Sequence, residues 1–133
     1  MMFFRYYNPN KKNKSAGDCV IRMLTVVTGR TWNDCYWLAC EEGERFGDMP
    51  SSNYVWMNIL YKLGFSRKII PDTCPDECYT INRFCEEHPN GMFVVGTGSH
   101  VVAIKEGKFY DSWNSGREIL IFYFEKTKKE DKF

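Results

Sequence analysis

The stretch GTGSHVVAIKEGKFYDSW, residues 96 to 113, decides the fold because it predicts a β-hairpin with a defined register. Two β-branched and aromatic segments flank Glu106-Gly107, a pair suited to a two-residue hairpin turn. That turn places Val102 opposite Asp111, and residues two apart on a strand share one face. His100 and Asp111 are then diagonal neighbours on one face, roughly 7–8 Å apart between backbones, and their side chains can hydrogen-bond.

This predicted His–Asp pair has two interpretations. A carboxylate on one imidazole nitrogen fixes the tautomer and leaves the other nitrogen free to activate a nucleophile. Alternatively, the hydrogen bond serves only the packing of the sheet. When no nucleophile accompanies a His–Asp pair, this structural interpretation is the favoured one. Asn114, the other polar candidate partner of His100, falls on the opposite face in this register. A bulge would reverse these assignments, because a slip of one residue flips every side chain.

Composition predicts a single folded domain, residues 1–133, with 44% hydrophobic and 17% aromatic residues. The formal net charge of +1 argues against nucleic acid or a membrane surface as a partner. The N-terminal MMFFRYY is too short an apolar run for a signal peptide, and no stretch is long enough to cross a bilayer. We therefore expect a cytoplasmic protein whose six cysteines are reduced and form no disulfide framework.

The order of predicted elements, helices first and an antiparallel sheet last, indicates an α+β fold. Helices are predicted at residues 18–29, 31–44, 52–63 and 80–88, strands at 3–7 and 65–70, a turn at 71–77, and three or four antiparallel strands within 92–125. The first helix, capped by Asp18 and ended by Gly29, is mostly apolar and is expected to be buried at the centre.

Cys19 falls in the first turn of that helix, where the helix dipole favours a thiolate. Arg22, one turn on, adds to this effect, whereas Asp18 opposes it unless its carboxylate caps backbone amides. The alternative is that Cys19 is a small buried hydrophobe, as we expect for the other five cysteines. A thiolate facing a sheet that carries His100 and Asp111 is equipped for acyl transfer, with the Cys19 N–H as one oxyanion-hole donor.

The order of these residues resembles the papain-like cysteine peptidases, in which a helix-borne Cys precedes a His and then an N-S-W motif. Here that motif reads Asp111-Ser112-Trp113, and the resemblance gives Trp113 the role of shielding the His–Asp pair from water. The segments NPN (8–10), GDCVIR (17–22) and TGRTW (28–32) are similar to small uncharacterised papain-like proteins of bacteriophages and their hosts.

The resemblance implies a papain-like α+β fold and a Cys-His-Asp hydrolase of peptide, isopeptide or other amide bonds. The implied partner is a peptide or protein substrate, with a host protein as one candidate, and no cofactor is implied. The same triad also supports an acyltransferase, a deamidase or a deubiquitinase-like activity. A third alternative is a phage protein that keeps the scaffold and inhibits a host factor by binding it.

One feature departs from the family, which normally places a Gln six residues before the Cys as the second oxyanion donor. The chain contains no Gln, and Asn13 stands at that spacing. We expect Asn13 to replace it, with Asn8 and Asn10 as alternatives. Losing one such donor typically costs ~10²–10³ in rate, so weak activity or none is also open.

Two further expectations concern the rest of the chain. A zinc site with three Cys ligands and one His ligand could in principle form from Cys74, Cys78, Cys85 and His88. The spacing of these residues in the sequence, however, matches no standard zinc-binding motif. We expect no metal, with zinc as the alternative. In a chain of this length we expect a short, shallow substrate groove between helix and sheet, rimmed by residues 47–50.

Overall fold

The computed structural model describes residues 2–70, 74 and 76–133, and within them the predicted α+β class is confirmed. The turn predicted at residues 71–77 lies largely outside the described residues. The elements are β1 (Phe4–Tyr6), α1 (Cys19–Thr28), α2 (Trp32–Phe46), α3 (Asn53–Lys62), β2 (Phe65–Ile69), α4 (Ile81–Glu87), β3 (Met92–Gly96), β4 (Val101–Lys105), β5 (Lys108–Asp111) and β6 (Phe122–Lys126). None of the helices in these ranges is long and apolar enough to span a membrane.

The strands form one mixed sheet in the order β1-β5-β4-β3-β6-β2. The predicted hairpin register is confirmed, since Ile104 lies opposite Phe109 at the β4–β5 pairing. Glu106 and Gly107 both have positive φ, 51° and 72°, as a two-residue hairpin turn of type I′ requires. The expectation of a purely C-terminal antiparallel sheet is incomplete, because β2 joins β6 and β1 pairs in parallel with β5.

The sheet separates two hydrophobic clusters. Successive residues of a strand point to opposite faces, so Val94 packs with α1, α2 and α3 whereas Phe93 packs with α4. The predicted central position of α1 is confirmed, because residues 20–25 are all buried and the helix packs between α2 and the sheet. This packing holds the N-terminus of α1 beside the start of β4.

The cap at the C-terminal end of α1 was predicted correctly, and the cap at its N-terminal end only in part. Gly29 ends the helix in a left-handed conformation and donates its N–H to the Thr25 carbonyl, as expected. Asp18 occupies the N-cap position as predicted, but the hydrogen bond expected between its side chain and the backbone amides is absent. Its carboxylate instead pairs with the buried guanidinium of Arg22, a charged partner that binds it more strongly than an amide does.

The expectation that all six cysteines are reduced is also wrong, because Cys74 and Cys78 form a disulfide. Their Cα atoms lie 4.5 Å apart, within the range that a disulfide can join. Neither sulfur is then a free thiolate for zinc. His88 is engaged elsewhere: its Nδ1 lies 2.9 Å from the Phe84 carbonyl and its ring stacks on that side chain. The zinc alternative is therefore dropped.

We predict that Gly96→Ala destabilises the fold. A Cβ at this position would lie 2.4 Å from the ring of Phe122, which is itself stacked on Trp56. Overpacking of this kind typically lowers the free energy of unfolding by about 1–3 kcal/mol, to be measured by denaturant titration. Gly98→Ala is the control, because nothing lies within 4 Å of the added Cβ. Equal losses in the two variants would contradict the packing argument.

Candidate active site

The site forms where the first turn of α1 meets the open end of the β4–β5 hairpin. Cys19 is the first residue of α1, His100 directly precedes β4, and Asp111 is the last residue of β5. The hydrogen bond predicted between the imidazole and the carboxylate is present, with His100 Nε2 2.7 Å from Asp111 Oδ2. The thiol of Cys19 lies close enough to the same imidazole that each group shifts the pKa of the other, and both side chains line one cleft. The structure thus brings the three predicted triad residues together.

The Asp111 carboxylate is buried and bound by four donors. His100 Nε2 and the Ser115 hydroxyl approach Oδ2 at 2.7 and 2.6 Å, while the Ser112 amide and Arg22 Nη2 approach Oδ1 at 2.7 and 3.1 Å. Burial alone would raise the pKa of this carboxyl, but its hydrogen bonds to His100, Ser115 and Ser112 and the charge of His100 hold the pKa below its ordinary value. Asp111 is therefore ionised at neutral pH.

His100 is biased toward the imidazolium form. Burial disfavours that charge, but the hydrogen bonds to Asp111 and Cys19, with the charges of both, outweigh it and raise the pKa of His100 to about 9. Because Asp111 engages Nε2, Nδ1 is the nitrogen left for the thiol. A proton held on His100 at neutral pH is what a thiolate–imidazolium pair requires.

Cys19 is half-buried, and burial alone would raise the pKa of its thiol. The hydrogen bonds from His100 and from the Val101 amide, with the charges of His100 and Arg22, lower the pKa below the ordinary thiol value. Cys35 on α2 and Cys85 on α4 differ from Cys19, since burial raises the pKa of Cys35, and raises that of Cys85 to about 12. Cys19 is thus set apart as a nucleophile.

Trp113 contacts His100 as the resemblance implied. The two ring centroids lie 5.2 Å apart at an interplanar angle of 34°. The indole covers the imidazole, whose side chain is only 11% exposed. Asn114 is turned away from this pair, and its side-chain oxygen accepts the Gly116 amide.

The three asparagines proposed for the oxyanion hole are not equivalent. Asn10 is buried, and its amide nitrogen donates to Asp18. Asn8 donates its amide nitrogen to the Lys14 carbonyl. Asn13 lines the cleft beside Cys19, its side-chain oxygen accepts the Ser15 amide, and its amide nitrogen has no hydrogen-bond partner among the described residues. Asn13 is therefore the one of the three with a donor available to a ligand.

A cleft of about 570 Å³ passes Cys19 and His100. This volume lies within the usual range of ligand sites, and the cleft is lined by residues of α1 and of the sheet, where a groove was expected. Of the expected rim at residues 47–50, only Pro50 reaches the cleft, followed by Ser51. Aromatic side chains form much of its wall: Trp32, Tyr36, Trp56 and Phe122.

Sequence reasoning missed two contributors to this site. Ser115 follows Asp111 by four residues, and nothing in its surroundings marks it as a hydrogen-bond donor to that carboxylate. Arg22 was noticed only as a cation near Cys19, whereas its guanidinium binds Asp18 and Asp111 together. The i, i+4 spacing of Asp18 and Arg22 was the available signal for half of that network.

No family model, curated protein or solved structure matches this chain. The geometry of Cys19, His100 and Asp111 is therefore the basis for assigning a function to this chain. Within the described ranges, no group of three or more His, Cys, Asp and Glu side chains is arranged to hold a metal ion.

We predict that Asp111→Asn lowers the pKa of His100 by more than about one pH unit. The amide keeps a hydrogen-bond acceptor but removes the charge that stabilises the imidazolium. The effect of burial, which lowers the pKa of His100, is then less fully opposed. The measurement is an NMR titration of the two imidazoles, with His88 as the internal reference. A His100 pKa that stays near its wild-type value in the variant would contradict the assigned role of Asp111.

Proposed function

We propose that this chain is a papain-like cysteine hydrolase that cleaves a peptide, isopeptide or related amide bond. The observation that supports it most is one imidazole that interacts with both a carboxylate and a thiol: Asp111 binds its Nε2, and Cys19 helps to raise its pKa. A sheet-stabilising His–Asp pair does not account for a thiol of lowered pKa bound to the same ring at the wall of a cleft. That combination favours catalysis.

Acylation begins with attack of the Cys19 thiolate on the carbonyl carbon of the substrate. The new C–S bond forms as the carbonyl electrons move to the oxygen, which then carries the negative charge. The backbone N–H of Cys19 and the side-chain amide of Asn13 are assigned to bind that oxyanion. When the intermediate collapses, the C–N bond breaks and His100 gives its proton to the leaving amine.

Deacylation reverses these roles with water as the nucleophile. His100, now neutral, takes a proton from the water that attacks the thioester, and collapse releases the carboxylic acid and the Cys19 thiolate. Asp111 keeps the imidazole oriented and stabilises its charged form in both steps. An amine in place of water would make the same site a transferase, and the aromatic wall is the surface available to the acyl part of the substrate.

The proposal is tested with the p-nitrophenyl ester of an N-acetylated aromatic amino acid. We expect one equivalent of nitrophenolate to be released in a burst, with the acyl group found on Cys19 by peptide mapping. The burst should persist at about pH 6.5, because an ordinary thiol of pKa ~8.5 is only ~1% ionised there and Cys19 ionises earlier. His100→Ala should slow the burst by ~10²–10⁴-fold.

Cys19→Ala and Cys40→Ala are the matched pair for this experiment. Cys40 is also a half-buried free cysteine, but it lies on α2 and does not line the cleft. Cys19→Ala should abolish the burst, and Cys40→Ala should leave it unchanged. Acyl groups spread evenly over both thiols, or a burst indifferent to His100→Ala, would count against the hydrolase.

We further predict that Asn13→Ala slows acylation of Cys19 by ~10²-fold, the usual effect of removing one oxyanion donor. The burst rate with the same ester measures it, while the pKa of His100 should not move. Asn33→Ala is the control, since Asn33 is an exposed asparagine on α2 outside the cleft. If Asn13→Ala behaves like Asn33→Ala, the second donor lies elsewhere.

A further inference from the structure

We infer that Arg22 is a positioning residue for the proposed reaction: its guanidinium holds the Asp111 carboxylate toward His100, and Asp18 anchors the guanidinium. The inference takes its functional meaning from the proposed hydrolase. The geometry behind it, and the measurement that tests it, do not depend on turnover.

The two terminal nitrogens of Arg22 each bind a different carboxylate. Nη1 lies 2.7 Å from Asp18 Oδ1, and Nη2 lies 3.1 Å from Asp111 Oδ1. The side chains of Arg22, Asp18 and Asp111 are 6%, 8% and 1% exposed. Because a guanidinium is rigid and planar, binding at both ends fixes the position of one carboxylate relative to the other. A lysine, with one charged nitrogen, cannot reproduce this fork.

The anchor carboxylate is itself held in place. The second oxygen of Asp18 accepts the indole N–H of Trp32 at 2.9 Å and the side-chain amide of Asn10 at 3.2 Å. Trp32 belongs to α2 and Asn10 to the loop that precedes α1, so Asp18 is fixed from two other parts of the fold. Rigidity at Asp18 is therefore transmitted through Arg22 to Asp111.

The charges of Asp18, Arg22 and Asp111 allow Arg22 to position the Asp111 carboxylate without neutralising its effect on His100. A cation bound to Asp111 alone would weaken the attraction between that carboxylate and the His100 imidazolium. Asp18 offsets the charge of Arg22, so the group of Asp18, Arg22 and Asp111 keeps one net negative charge. Arg22 can therefore orient Asp111 while Asp111 still stabilises the imidazolium.

The alternative is that Arg22 only ties α1 to the sheet, and the pKa of His100 distinguishes the two. Coulomb's law alone requires that pKa to rise when a nearby cation is removed. Loss of positioning loosens the hydrogen bond from His100 to Asp111, and the pKa then falls because burial dominates. Cys19 is the other titratable group bound to His100, so the measurement is made in a Cys19→Ala background.

The experiment is an NMR titration of His100, with His88 as reference, in the full chain carrying Cys19→Ala. In Arg22→Met we expect the pKa of His100 to fall by more than about one pH unit, and Arg22→Lys should restore only part of it. Arg30→Met is the control, because Arg30 pairs with Asp131 at the surface. It removes the same charge without touching the site and should leave the pKa unchanged.

Arg22→Met leaves two buried carboxylates without their cation, so circular dichroism must first show a folded chain. The double variant Asp18→Asn/Arg22→Met leaves no buried charge at position 18. If the single variant unfolds, the pKa of His100 is measured in this double variant instead. A His100 pKa that rises or stays constant in the folded variant overturns the inference. Unfolding of both variants overturns it as well, because Arg22 is then an anchor of the fold.

Failure of the proposed function gives a different pattern. In that case Cys19 is not acylated by the ester in the unmodified chain, yet the pKa of His100 still depends on Arg22. If Cys19 is acylated and the His100 pKa is indifferent to Arg22, the hydrolase stands and the positioning role falls.

Discussion

The buried carboxylate of Asp111 is the constraint on which the rest of the site depends. A buried charge that loses its partner typically costs about 3–5 kcal/mol, so every donor around it must be in place when the chain folds. Those donors come from three parts of the sequence: His100 at the start of β4, Ser112 and Ser115 after β5, and Arg22 on α1. Satisfying Asp111 therefore assembles the site and joins α1 to the hairpin.

The position of Cys19 follows from that assembly. Arg22 lies one turn after Cys19 on α1, so a guanidinium fixed on Asp111 also fixes the distance between the thiol and the hairpin. The apolar side of the same helix packs on β4 and α2, which prevents α1 from sliding. Hydrophobic packing thus sets where the helix lies, and the buried ions set the register of its first turn against His100.

Local patterns in the sequence were enough to predict the elements and the His100–Asp111 pair. The hairpin register depends only on a two-residue turn and the two-residue period of a strand, and both are local rules. The parallel pairing of β1 with β5 was not predictable in this way, because it joins residues about a hundred positions apart. The contact between Arg22 and Asp111 was missed for the same reason, whereas the ion pair between Arg22 and Asp18 has a local i, i+4 spacing and was within reach of the sequence.

The charge of Asp111 favours formation of the thiolate in the proposed enzyme but disfavours proton transfer from His100 to a leaving amine. A full negative charge, where an N-S-W motif would place a neutral amide, stabilises the imidazolium and so favours the thiolate at neutral pH. The same stabilisation makes His100 a weaker acid toward a leaving amine, and a thiolate of lowered pKa is a weaker nucleophile. The weaker nucleophile slows the attack on any carbonyl, whereas the weaker acid slows the collapse of the tetrahedral intermediate for amides in particular, because an amine must be protonated as it leaves and the phenolate of an activated ester need not be. The proposed site should therefore acylate readily from an ester or thioester and slowly from a peptide, unless binding in the aromatic cleft orients the leaving amine toward His100.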